Sequence, residues 1–115
     1  MIGFGSEDTE ICLRAWLLGF EVVAVPHVKV SHLFRPHHPY DVSWADVVYN
    51  KLRTVHAHFN PGRANRAIAA IKPLPCFDEA SRRIAASDIW SRRRDLERRR
   101  KHDDDWFFEK FNMLL

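Results

Sequence analysis

Three carboxylates stand close together near the beginning of the chain, in the stretch GSEDTE. Glu7, Asp8 and Glu10 surround a single threonine, in a chain whose formal net charge is +3. A carboxylate can take a proton from a reacting hydroxyl group. Carboxylates can also satisfy the free amide groups of a first helical turn and oppose its positive dipole, with Ser6 as the N-cap. The stretch therefore predicts either a helix end or a substrate site, and the rest of the sequence has to decide between them.

The length and composition predict a single globular domain, residues 1–115. Hydrophobic residues make up 46% of the chain and charged residues 29%, which lies well outside the disordered class. Cys12 and Cys76 have no metal-binding spacing, so we expect both to be reduced, in a cytoplasmic setting. No apolar run approaches the roughly 18 residues of a membrane span, and no signal segment opens the chain.

The first elements that would position the carboxylates are a helix, two short strands and a loop. The helix should cover residues 7–18, because apolar residues form a stripe and Gly19 can end it. FEVVAV and VKVSHLF predict two short strands or one bent strand, and RPHHPY predicts a loop because of its two prolines. The apolar stripe of the helix consists of Ile11, Cys12, Ala15, Trp16 and Leu18.

The remainder of the chain predicts helices only. We expect them at 43–59, at 63–71, in a long polar stretch that starts after Asp78 and continues into SRRRDLERRRKH, and at 106–113. The predicted fold class is α+β and mostly helical, with a two-stranded β element and four to five helices. Because two short strands cannot cover themselves, they could form the edge of a larger sheet outside this chain.

The segment GFGSEDTEICLRAWLLGFEVVAVPHVKVSHLFRPHHPY carries a family resemblance. It resembles the carboxy-terminal part of the catalytic domain in GT-A glycosyltransferases, in particular the signature region of polypeptide N-acetylgalactosaminyltransferases and related family 2 enzymes. Their pattern is Trp-Gly-Gly-Glu-Asn or Glu-Asp, a helix with Arg-x-Trp, a strand ending in Pro, then Val-x-His-x-Phe-Arg and a Pro-Tyr loop. The resemblance divides the domain into a signature segment, 1–41, and a helical carboxy-terminal part, 42–115.

The resemblance implies a role for individual residues. Glu7 and Asp8 would lie on the acceptor side as catalytic residues, and His32 would be a ligand of a divalent metal, manganese or magnesium. Arg35, His38 and Tyr40 would lie on a loop that closes over the nucleoside-diphosphate sugar, and the acceptor would be a hydroxyl group. The Glu-Asp pair is closer to inverting family 2 enzymes, in which this Asp resembles a general base, while a retaining reaction stays open.

The sequence also departs from the family pattern. Phe4 stands at the position of the family's Trp, Ser6 replaces the second Gly, and Asp8 replaces Asn. The nucleotide-binding half with its Asp-x-Asp motif is missing, since the chain's one such triplet is Asp103 to Asp105. We therefore expect the isolated chain to be inactive, to need a cation only as part of a complete enzyme, and to form a homodimer through its uncovered apolar surface.

A second hypothesis is a small helical binding or assembly module without catalysis, in which the acids only cap a helix. Arg14 and Trp16 are then structural, with Arg14 a partner of Glu10 one turn earlier.

The basic tract near residue 95 raises the question whether the chain binds nucleic acid. Asp95 can pair with Arg98 or Arg99 and Glu97 with Arg100 or Lys101, and no aromatic residue is interleaved to stack on bases, which argues against that partner.

Overall fold

A computed structural model describes residues 1–34, 36 and 38–114, and within these residues the protein contains six α-helices and no β-strand. The prediction of an α+β fold with a two-stranded element is therefore wrong. The helices are α1 (Glu7–Leu17), α2 (Trp44–His58), α3 (Pro61–Ile71), α4 (Phe77–Ala85), α5 (Ile89–Arg99) and α6 (Asp104–Lys110).

The two segments predicted as strands lack the pairing that a strand requires. Between Phe20 and Phe34 the described backbone forms no sheet, and several apolar side chains there are exposed, Val30 by 88%. A strand is stable only when a neighbour satisfies its amide and carbonyl groups. The segment has the composition of a strand, but the described part of this chain contains no neighbouring strand to which it can pair.

Helix α2 begins within one residue of the predicted start and α3 begins two residues before it, and both start at side-chain caps that the sequence analysis did not name. Ser43 precedes α2, and its hydroxyl accepts a hydrogen bond from the amide of Asp46 at 3.3 Å. Asn60 caps α3 in the same way, with 2.9 Å between its side-chain oxygen and the amide of Arg63. Pro61 then occupies the first position of α3, where a missing N–H group costs nothing.

The long polar helix predicted after Asp78 is divided into α4 and α5. The chain leaves the helical conformation after Ala85, and the Ser87 hydroxyl donates a hydrogen bond of 2.7 Å to the carbonyl of Ile84. A serine that bonds to nearby backbone groups competes with the helical bonding pattern. Ile89 is fully buried directly after the turn, so the break lets α5 pack against the core.

Helix α2 lies at the centre of the molecule and contacts α1, α3, α4 and α5. Its apolar residues belong to two core clusters, one shared with α4 and α5 and the other with α1, α3 and α6. On α1 the buried residues are Leu13 and Leu17, whereas Ile11 is 55% exposed, so the predicted apolar stripe is wrong by part of a turn. None of the described helices combines the length and apolar character needed to cross a membrane.

Candidate functional site

The first turn of α1 begins without the predicted side-chain cap. Ser6 occupies the N-cap position, but its φ of 67° is left-handed and its side chain makes no cap hydrogen bond. A capping serine usually has an extended backbone that directs its hydroxyl back to the first free amides. Of the Ser6 groups, only the backbone carbonyl bonds to the helix, and it accepts a hydrogen bond from the amide of Glu10 at 2.9 Å.

Of the three clustered carboxylates, Glu10 belongs to the structure. Its Oε1 lies 2.9 Å from Nε2 of the buried His58 and 3.3 Å from the Arg14 guanidinium, which confirms the predicted pairing with Arg14. Burial raises the pKa of Glu10. The hydrogen bond and charge of His58, together with the charge of Arg14, lower the pKa by more than burial raises it. The net pKa lies below the ordinary value of 4.5, so Glu10 is an ionised structural anion.

Glu7 and Asp8 remain exposed on the first turn of α1. One Asp8 carboxylate oxygen accepts the amide of Thr9 at 2.7 Å, which leaves its other oxygen for solvent or a ligand. Glu7 lines a cleft of about 330 Å³ between α1, α2 and α5. We call it the arginine cleft, after Arg14, Arg53 and Arg92 in its lining.

A second concavity brings together three of the predicted site residues. His32, His38 and Tyr40 line a hollow of about 500 Å³ with Phe4, and we call it the aromatic hollow. The His38 ring centroid lies 4.9 Å from that of Phe4 and 5.6 Å from that of Tyr40. Arg35, the fourth residue predicted on this loop, lies outside the described residues.

The amino-terminal segment that carries Phe4 is held by a buried side chain that sequence reasoning missed. Asn50 on α2 is fully buried; its amide nitrogen donates to the carbonyl of Ile2 at 2.7 Å, and its oxygen accepts the Ile2 amide at 3.0 Å. Gly3, with a φ of +52°, passes so close that an added Cβ would lie 2.6 Å from the Asp46 carboxylate. The sequence did contain a signal for this contact, because Asn50 is a polar residue on the apolar face of a predicted helix.

The described residues do not fit a metal centre on their own. They include no group of three or more His, Cys, Asp or Glu side chains that could hold an ion. The aromatic hollow offers imidazoles and a phenol but no carboxylate, and divalent manganese or magnesium prefers oxygen ligands. The predicted role of His32 would therefore need ligands from outside the described part of the chain.

The Asp-x-Asp triplet near the carboxy terminus has structural tasks. Asp103 caps α6, accepting the amide of Trp106 at 2.8 Å. Asp104 is buried, pairs with Arg63 and accepts the amide of Asn60 at 2.9 Å, and Asp105 lies 2.9 Å from the same guanidinium. These contacts join α6 to the beginning of α3, so the triplet is not a nucleotide-binding motif displaced along the chain.

Four arginines of the basic tract on α5 form ion pairs with the two acids of the same helix. Asp95 pairs with Arg98 and Arg99 as predicted, and also with Arg92. The prediction for Glu97 is wrong, because it pairs with Arg93 at 2.8 Å and not with Arg100 or Lys101. Arg93 also donates to the carbonyls of His56 and Phe59 at the end of α2, a task that the sequence did not reveal.

Comparison with known proteins gives two relatives, both from Caenorhabditis elegans. The chain is 29% identical over 108 residues to "Probable N-acetylgalactosaminyltransferase 8", an alignment that covers 92% of this chain and 24% of that protein. It is 40% identical over 40 residues to "Probable N-acetylgalactosaminyltransferase 9", covering 35% of this chain and 7% of that protein. These similarities indicate a glycosyltransferase-like region. The chain spans about a quarter of the length of the first relative.

No protein-family model matches the chain, and no solved structure matches it significantly.

Proposed function

We propose that this chain is the acceptor-side, carboxy-terminal portion of a metal-dependent glycosyltransferase of the GT-A type, related to family 2. It would take part in moving a sugar from a nucleoside-diphosphate sugar to a hydroxyl group. The observation that carries the proposal is the similarity over 92% of the chain to a protein named as an N-acetylgalactosaminyltransferase. The resemblance of residues 3–40 to the family's signature pattern supports the same proposal.

The exposed first turn of α1 is consistent with a catalytic role for Asp8 and Glu7. Glu10 is held by His58 and Arg14, whereas Asp8 keeps an oxygen available at the surface. Asp8 would accept the proton of the acceptor hydroxyl as the new glycosidic bond forms, and Glu7 would orient that hydroxyl. An inverting reaction follows from Asp8 as the base, while a retaining reaction would leave both carboxylates in a supporting role.

The aromatic hollow would contribute to binding the donor. His38 and Tyr40 offer hydrogen-bonding groups close to the Phe4 ring, and Arg35 would add positive charge for the leaving diphosphate. In a complete enzyme a divalent cation would neutralise the diphosphate, with His32 as one ligand. The roles proposed for Asp8 and Glu7 do not depend on that cation, whose site the described residues do not form.

Several further predictions remain with this proposal. Holding the donor in line with the acceptor can contribute about 7–11 kcal/mol to catalysis. Because this chain lacks the half that would hold the donor, we expect it to be catalytically silent alone. Reduced cysteines and a cytoplasmic location also stay predictions, although Cys12 and Cys76 are both exposed and free of disulfide bonds in the structure.

The alternative function is a non-catalytic helical module, and one observation favours it. Helices α2 to α5 share a core cluster that includes no residue of the signature segment, so much of the fold does not depend on that segment. In this alternative, Glu7 and Asp8 would only stabilise the beginning of α1. The two functions make opposite predictions for the behaviour of the chain inside a complete transferase.

A segment exchange distinguishes the two functions. The part of the first C. elegans relative that aligns with this chain is replaced by residues 1–115, and transfer of N-acetylgalactosamine to a hydroxyl acceptor is measured after confirming that the parent protein is active. We expect the exchanged protein to retain transfer. An exchanged protein that folds, with a melting transition like that of the parent, but transfers no sugar would overturn the proposal and favour the module.

A further inference from the structure

Three guanidinium groups from three different helices line the arginine cleft. Arg14 comes from α1, Arg53 from α2 and Arg92 from α5, while Ala57 and Leu96 contribute apolar surface. Arginine is the side chain best suited to planar oxyanions, because it presents five N–H donors in a rigid fork. The question is which of the three still has donors and charge to offer.

Arg14 is already used by the fold, since it pairs with the structural anion Glu10 at 3.3 Å. Arg53 is only partly used. One of its terminal nitrogens donates to Asp88 at 2.7 Å and the other contacts the Tyr49 hydroxyl at 3.3 Å. The side chain of Asp88 is 68% exposed, so water weakens its pairing with Arg53.

Arg92 has the longest ion pair of the three. It pairs with Asp95 at 3.7 Å, which is longer than a hydrogen bond. Asp95 is shared with Arg98 and Arg99, so one carboxylate serves three guanidinium groups. Arg92 makes no hydrogen bond to Asp95, so its donors stay free at one side of the cleft, and its side chain is only 33% exposed. Its positive charge also acts on Glu10 and Asp88, where it helps to lower the pKa of each carboxyl group.

Two carboxylates in the lining oppose an anionic ligand to different extents. The charge of Glu10 is compensated by His58 and Arg14, which both contact its carboxylate. Glu7 is exposed and lies on the α1 side. The lining thus combines two carboxylates and Arg14 on α1 with Arg53 on α2 and Arg92 on α5.

We propose that the arginine cleft binds a small oxyanion, a phosphate or carboxylate group, through Arg53 and Arg92. The side chains of both residues are at least two-thirds buried and come from adjacent helices, so an anion bound between them exchanges water for charge-assisted hydrogen bonds. Glu7 limits the affinity. This inference goes beyond the proposed function, because it holds whether or not the chain takes part in sugar transfer.

The test is a titration of the full chain, followed by amide chemical shifts, with inorganic phosphate in one arm and N-acetylaspartate amide in the other. Neutral N-acetylasparagine amide is the ligand control. We expect saturable shifts around the arginine cleft for at least one anion, and the two arms show whether phosphate or carboxylate is preferred. Shifts spread over the surface without saturation, or equal binding of the neutral amide, would overturn the proposal.

Two variants and one matched control localise the binding. Arg92→Gln should weaken anion binding about tenfold, the size expected for one charge-assisted hydrogen bond. Arg94→Gln removes the same charge from an exposed position of the same helix and should leave the affinity unchanged. Glu7→Gln should tighten binding. Equal weakening by Arg92→Gln and Arg94→Gln would show a general charge effect and contradict the proposal. If Arg92→Gln fails to fold, the Glu7→Gln variant decides, and unchanged or weaker anion binding by that variant would contradict the proposal.

Discussion

Glu7, Asp8 and Glu10 lie within four positions of one another, yet the structure gives them different environments. Glu10 contacts the buried His58, 48 residues away in sequence, whereas Glu7 and Asp8 face solvent. The i, i+4 spacing predicted the contact between Glu10 and Arg14, because helical neighbours follow from sequence distance alone. The contact with His58 depends on how α1 packs against α2, which local spacing does not encode.

The first prediction concerns the stability that Glu10 contributes. Glu10→Gln should lower the free energy of unfolding by about 1–3 kcal/mol, because it weakens a partly buried, charge-assisted hydrogen bond to His58. Glu7→Gln, the control three positions earlier, should change it by less than about 0.5 kcal/mol because Glu7 is exposed. Urea unfolding measures both values. Equal effects of the two substitutions would show that Glu10 is not the structural member of the group.

The second prediction follows from the lowered pKa of Glu10. As the pH falls below the ordinary value of 4.5, the unfolded chain takes up a proton at Glu10 before the folded protein does. The stability that this carboxylate contributes is therefore present above pH 4.5 and is lost as the pH falls through the lower, folded-state pKa. Urea unfolding between about pH 7 and pH 3 should show a steeper loss for the native chain than for Glu10→Gln, and parallel curves would contradict it.

At the scale of elements, helices were predictable where a local signal marks their ends. Ser43 and Asn60 accept amide hydrogen bonds at the starts of α2 and α3, as their residue types predict. The absence of strands was not predictable in this way. VKVSHLF has the alternation of a strand but has no partner strand among the described residues. Sequence propensity reports what a segment can form, and the partner decides whether it forms.

The third prediction concerns the junction of α5 with the end of α2. Arg93→Ala should destabilise the fold by about 1–3 kcal/mol, because it leaves the carbonyls of His56 and Phe59 without the donor that caps α2. Arg94→Ala, one position later on the exposed side, should have an effect below about 0.5 kcal/mol. Thermal unfolding followed by circular dichroism measures the difference. Similar melting temperatures for the two variants would mean that the arginine does not hold α2.

At the scale of the whole molecule, two regions differ in how well their apolar side chains are buried. The helices share two buried core clusters, and Val48 and Ile89 are fully buried. The segment between Phe20 and Phe34 instead exposes a row of apolar side chains. Exposed apolar side chains that form a contiguous patch generally mark an interaction site. Under the proposed function, we expect this segment to pair with other parts of a longer transferase.

The fourth prediction is that the isolated chain self-associates through this segment. Light scattering at tens of micromolar should give a mass near that of a dimer, because an unpaired apolar segment can pair with its copy. Val30→Lys, at a position that is 88% exposed, should shift the equilibrium toward the monomer without changing the helical content. A monomeric native chain at the same concentration would show that the segment does not pair with a second copy.

The central claim, that the first turn of α1 belongs to a glycosyltransferase site, is tested most directly by one comparison within the segment-exchanged transferase. Asp8 and Asp78 are both exposed, both occupy the second position of a helix, and both helices follow a left-handed N-cap. Asp8→Ala should lower the rate of sugar transfer by about 10²–10⁴-fold, the usual contribution of a general base. Asp78→Ala should leave the rate unchanged. Equal rates for the two variants, with transfer intact, would show that Asp8 only stabilises the beginning of a helix.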